Sequence, residues 1–113
     1  MPNKVTLTPY FEGRYRRFAK KFASLESEVD ILINNIIETP TVGESLGAGL
    51  YKIRLTVKSK GKGKRGGFRV ITYLLAETQG NADIFLLTVY DKSEESRINK
   101  STLLALAKAI SGE

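Results

Sequence analysis

The sequence predicts an α+β fold: a small, mainly antiparallel sheet of three to four strands, an N-terminal helical hairpin packed on one face, and a C-terminal helix. Two observations carry this. Apolar residues in the first third recur with helical spacing, whereas residues 50–90 hold three β-type runs. The elements also come in blocks and do not alternate, which argues against a parallel α/β sheet.

Taken in order, "KVTLT" (Lys4–Thr8) is a short alternating run rich in Val and Thr, expected as a first strand. Thr8-Pro9 reads as an N-cap followed by proline at the first helical position. Phe11, Tyr15, Phe18 and Phe22 then fall on one helix face, with Arg14, Arg16, Arg17, Lys20 and Lys21 over the rest. Ser24 is the expected cap of a second helix, whose stripe is Val29, Leu32, Ile33, Ile36 and Ile37. "ETPTVGESLGAG" ends it and reads as a connecting loop, since Thr39 precedes Pro40 and three glycines follow. "LYKIRLTVK" (Leu50–Lys58) alternates, with Tyr51, Ile53, Leu55 and Val57 toward the helices. Its other side, Lys52, Arg54 and Lys58, is expected on an uncovered face. Arg69 joins that face if Phe68, Val70 and Leu74 enter the core. "GFRVITYLLA" and "ADIFLLTVY" are apolar on both sides, as inner strands are, and "ETQGNAD" is the turn between them. Ser101 is expected to cap a last helix, "TLLALAKAI".

At 113 residues the chain is expected to form one domain spanning residues 1–113, with a single modest core. Cysteine and histidine are both absent, which excludes disulfides, thiolate chemistry and the commonest acid–base residue. No carboxylate cluster offers a metal site, and no cofactor motif survives inspection. No apolar run approaches membrane-spanning length, and the N-terminus lacks a signal-peptide core, so a cytoplasmic protein without membrane contact is expected. The net charge of +6 makes polyanions the natural partners. Between Lys52 and Arg69 stand eight basic residues and no acid: Lys52, Arg54, Lys58, Lys60, Lys62, Lys64, Arg65 and Arg69.

Within that run, "KSKGKGKRGGFR" spells G-x-G-x-x-G. A dinucleotide fingerprint needs a helix after the glycines, and here a strand follows. A kinase loop needs Val where Phe68 stands, and a Walker motif needs Gly-Lys-Ser/Thr, which does not occur. Two readings remain open. One is a hairpin loop whose lysines keep a sheet edge soluble; the other is a basic loop that tracks a nucleic-acid backbone without reading bases.

"LYKIRL…GGFRVITYLL…IFLLTVYDKSE" resembles the RelE/HigB-type toxins of bacterial type II toxin–antitoxin modules, in the RelE/ParE superfamily, over about residues 5–110. The resemblance implies a RelE-like fold and ribosome-dependent cleavage of mRNA. It also implies neutralisation by a cognate antitoxin, expected to be a small helix-turn-helix protein. Carried onto this chain, the catalytic positions are Lys52 and Arg54 on the active strand, Arg69 after the hairpin, and Lys92 in "YDKSE". Lys58, Lys60, Lys62, Lys64, Arg65, Tyr73 and Tyr90 become RNA- or ribosome-binding candidates. Two departures stand out. RelE has Arg after the residue matching Lys92, where this chain has Ser93, and its C-terminal catalytic Tyr has no counterpart here. Tyr73, Tyr90 or Arg97 could stand in.

The chemistry can be argued from the residues as well. RNA supplies its own nucleophile, the 2′-OH, so the enzyme must take that proton, stabilise the phosphorane and protonate the leaving 5′-oxygen. Without histidine, a lysine among other cations is the base of choice, because like charges favour its neutral form. Lys52 suits that role, Arg54 and Arg69 suit the phosphorane, and Lys92 or Tyr90 the acid. No metal is needed for this scheme. Two other readings use the same face: a ParE-like gyrase inhibitor, and a non-catalytic RNA-binding module. The plainest alternative is that Lys52 and Arg54 are the solvated side of an amphipathic strand.

Overall fold

A computed structural model of the chain describes residues 3–57, 67–78, 81–92 and 98–111. The elements are β1 (Asn3–Leu7), α1 (Pro9–Lys21), α2 (Leu25–Glu38), β2 (Glu44–Gly47), β3 (Leu50–Leu55), β4 (Phe68–Thr78), β5 (Asn81–Asp91) and α3 (Lys100–Ser111). They form a five-stranded sheet of order β1-β5-β4-β3-β2, parallel between β1 and β5 and antiparallel elsewhere. The two apolar runs are its inner strands, as their two-sided hydrophobicity requires.

The strand beyond the expected count is β2, in the stretch read as a loop. Gly47, Ala48 and Gly49 all take positive φ there, so the chain doubles back and Glu44–Gly47 pair with Leu50–Lys52. That pairing satisfies backbone groups that a loop would leave to water.

Helices α1 and α2 cover one face. Phe11, Phe18, Leu25, Val29, Leu32 and Ile36 meet Ile53, Leu55, Phe68, Val70, Ile84 and Val89. Phe68 is gripped edge-on by Phe18 and Phe22, at centroid distances of 4.9 and 5.5 Å. Thr8 caps α1 as expected, its Oγ1 accepting from the Phe11 N–H at 3.2 Å. The same hydroxyl donates to the Leu86 carbonyl at 2.9 Å and so ties the start of α1 to β5.

Two capping expectations change. Ser24 holds the N-cap position of α2 but makes no side-chain cap bond; its hydroxyl donates to Glu28 at 3.1 Å. α3 begins at Lys100 and is capped by Asn99, whose Oδ1 accepts from the Ser101 N–H at 2.7 Å. Ser101 donates its hydroxyl to the same oxygen at 2.6 Å and is therefore not the cap.

The largest correction concerns the face expected to be uncovered. α3 packs there, burying Leu103 and Ala107 against Leu50, Ile71, Leu87 and Tyr90. An amphipathic helix must bury its stripe somewhere, and the first face is already filled by α1 and α2. Among the described residues, Lys52, Arg54 and Arg69 at one end of this face lie outside the packing beneath α3.

Candidate active site

Residues paired in register on neighbouring strands point to the same side of a sheet. Arg54 pairs with Arg69, and Arg69 with Tyr90, so these three form one row across β3, β4 and β5. The adjacent row is Lys52, Ile71 and Thr88. All lie on the α3 side. Arg54 is exposed and Arg69 half-buried, with Nη1 of Arg69 donating to the Phe68 carbonyl at 3.3 Å. Tyr90 is 1 % exposed and belongs to the packing beneath α3.

Lys52 does not stand among cations alone. Its Nζ lies 3.7 Å from Oε1 of Glu44, which β2 places directly across the ladder. The like-charge surroundings expected from the sequence are therefore mixed, and Glu44 is a residue that sequence reasoning missed. No local signal could have found it, because its position depends on pairing within a stretch that reads as a loop.

Lys92 is exposed just beyond β5, and its N–H donates to the Gly67 carbonyl at 3.1 Å, which holds it at the Arg69 end of the sheet. Tyr73 shares the face but sits two rows along from Arg69, opposite Leu50 and half-buried against α3. It does not join the row. Lys58, Lys60, Lys62, Lys64 and Arg65 lie outside the described residues, as do Ser93 and Arg97.

Beside the rows is a cavity of about 280 Å³ lined by Leu46, Lys52, Ile71, Tyr90, Ile98, Lys100 and Leu103. Thr88 lies under this part of the face with a buried Oγ1 that has no hydrogen-bond partner among the described residues. Among the described residues, no group of three or more His, Cys, Asp or Glu is disposed to hold a metal ion. No helix among them is long and apolar enough to cross a membrane.

Among the described residues, a sheet with a helical hairpin on one face and α3 on the other makes an α+β architecture with solved examples. The chain superposes on an arginine-substituted mutant of E. coli toxin RelE in the free state, with TM-score 0.52 and 15 % identity. The match covers 85 % of this chain and 90 % of that one, and at such identity it establishes the fold. The family follows from the sequence match. The model for the RelE toxin of the RelE/RelB toxin–antitoxin system matches residues 10–112, and the chain belongs to that family. It is a toxin of a toxin–antitoxin system.

Proposed function

We propose that this toxin is a ribosome-dependent endoribonuclease that cleaves mRNA and so arrests translation. The observation that carries the reading is the Arg54–Arg69–Tyr90 row, with Lys52 one row away, at one end of the same face. Two guanidinium groups on adjacent strands can grip the non-bridging oxygens of one phosphate by paired hydrogen bonds, and do so more strongly as charge grows on the phosphorane.

Lys52 takes the proton of the 2′-OH, whose oxygen then attacks phosphorus. The bond to the 5′-oxygen breaks, Lys92 protonates that oxygen, and a 2′,3′-cyclic phosphate remains on the upstream fragment. No metal enters this scheme. Tyr90, packed under α3, is better suited to holding the row in place than to donating the proton. The basic hairpin residues from Lys58 to Arg65 grip RNA backbone, of mRNA or ribosome, through counterion release. The chain acts as one toxin domain in the cytoplasm, and a small helix-turn-helix antitoxin neutralises it.

The test is cleavage of a translated mRNA on purified ribosomes, with the 5′ ends mapped. Cuts within the reading frame that disappear with Arg69→Ala support the reading. Intact mRNA together with loss of DNA supercoiling in expressing cells would move the chain to gyrase inhibition. Salt-dependent RNA binding without cuts would leave a binding module.

A further inference from the structure

The cavity beside the cation rows has a composition that the phosphate chemistry does not use. Its floor is apolar, formed by Ile71 and Leu103, which are each 1 % exposed, and by Leu46 and Ile98 at the margins. Its rim carries two cations from distant parts of the chain, Lys52 on β3 and Lys100 at the first position of α3. Among the described residues no lining residue is acidic, and Glu44 reaches the rim through its ion pair with Lys52.

Lys100 is oddly placed for a purely structural residue. A cation at a helix N-terminus opposes the helix dipole. α1 and α2 follow the usual rule, with Glu12 in one first turn and Glu26 and Glu28 in the other, whereas the first turn of α3 has no acid. The Lys100 ammonium reaches back over β2, about where it would be 3.6 Å from a Cβ on Gly47. That brings it to the same rim as Lys52.

Tyr90 belongs both to this lining and to the row with Arg54 and Arg69. Successive rows on one face are roughly 7 Å apart, about the reach from a nucleotide's phosphate to its base. At about 280 Å³ the space lies near the lower end of small-ligand sites, roughly 300–1,000 Å³, and so suits one flat ring system. We propose that this cavity is a nucleotide subsite: a base of the RNA lies between Leu46 and Ile98, over the buried Ile71 and Leu103, and the phosphate attached to that nucleotide is held at the rim by Lys100. Lys100 is thus a positioning residue, and the pocket helps to select which base stands next to the bond held by Arg54 and Arg69. The proposal rests on the endoribonuclease reading for its biological meaning, but binding can be measured without cleavage.

The experiment is methyl NMR on the full chain, labelled at Ile and Leu and titrated with each of the four ribonucleoside 3′-monophosphates, with ribose 5-phosphate as control. At least one nucleotide should shift the Leu46, Ile71, Ile98 and Leu103 methyls at millimolar concentration, and ribose phosphate should not. Lys100→Gln should weaken that binding several-fold while keeping the fold and a Tm no lower than the parent's, since Lys100 is exposed and its charge opposes the α3 dipole. On ribosomes the same variant should change the relative use of cleavage positions. Silence of the cavity methyls toward all four nucleotides would overturn the proposal, as would equal shifts from ribose phosphate. Methyl shifts in a protein that cuts no mRNA would sink the endoribonuclease reading and leave the subsite standing.

Discussion

Arg54 and Arg69 stand directly opposite one another across the β3–β4 ladder. Like charges in that position destabilise a sheet, so a neutral β-former at either site should improve the fold. Arg54→Thr is expected to raise unfolding stability by about 0.2–1 kcal/mol while lowering cleavage by on the order of 10²–10³. Chemical denaturation and a ribosome cleavage assay on one preparation measure both. A variant that unfolds more easily and still cuts would contradict both arguments.

Glu44 competes with RNA for Lys52, because its carboxylate lies 3.7 Å from the ammonium. The pair is substantially exposed and therefore weak. Glu44→Gln should strengthen binding to RNA at low salt by no more than about fivefold, and Lys52→Gln should abolish that gain. Loss of cleavage to the level of Lys52→Ala would instead make Glu44 the acceptor of the 2′-OH proton.

Beneath the Lys52 row, Thr88 buries a hydroxyl without a partner among the described residues. Valine has nearly the same shape and no polar atom to desolvate. Thr88→Val is expected to stabilise the fold by about 1 kcal/mol, measured by urea unfolding, with cleavage unchanged. Marked destabilisation would mean that the hydroxyl is bonded in solution.

Two glycines should respond oppositely to alanine. Gly13 lies within α1, and a Cβ there meets nothing within 4 Å, so Gly13→Ala should add roughly 0.5–1 kcal/mol. Gly43 has φ +104°, and a Cβ on it would come 2.6 Å from the Lys52 carbonyl oxygen. Gly43→Ala should cost about 1–3 kcal/mol and displace β2, lowering cleavage as Lys52 loses its setting. Thermal melts of the two variants give the comparison; equal shifts would contradict the account of β2.

Burial, then the nearby carboxylates of Glu26 and Asp30, hold the Tyr15 phenol above its ordinary value of 10.0. The folded value thus exceeds the unfolded one. The associated stability is fully present below about pH 10 and is lost as pH rises through the folded value. Stability measured on both sides of that window should fall less for Tyr15→Phe than for the parent chain, and identical falls would remove Tyr15 from the account.

Much of the fold can be read from local pattern. The Phe11–Phe22 stripe, the Thr8 cap and the alternation of "LYKIRL" each reflect geometry within one element, where side-chain periodicity and burial coincide. β2 could not be read this way. Four residues with little hydrophobic content become a strand only because glycine and alanine at positive φ return the chain onto β3. The α3 stripe was visible, but a stripe shows that a helix needs a partner and not which side of a sheet provides it.

The site divides in the same way. Parity along two strands suggested that Lys52, Arg54 and Arg69 share a face, and the ladder pairs Arg54 with Arg69. Tyr90 enters the row through long-range register: the β4–β5 pairing shifts by one residue between Ile71 and Thr72, which alternation within either strand cannot report. Glu44 and Lys100 come from β2 and α3, 8 and 48 positions from Lys52 in sequence.

By itself, the sequence determined which segments are helices and inner strands, that no thiol or imidazole chemistry is available, and that its cations are concentrated around one hairpin. Those properties depend on residue type and on spacing within single elements. Only the tertiary structure decided that α3 closes most of the working face, that Tyr90 stands in line with the two arginines, and that Lys52 meets Glu44 and shares a cavity with Lys100. Those relations depend on strand order and register, which are set by burying all the apolar faces at once.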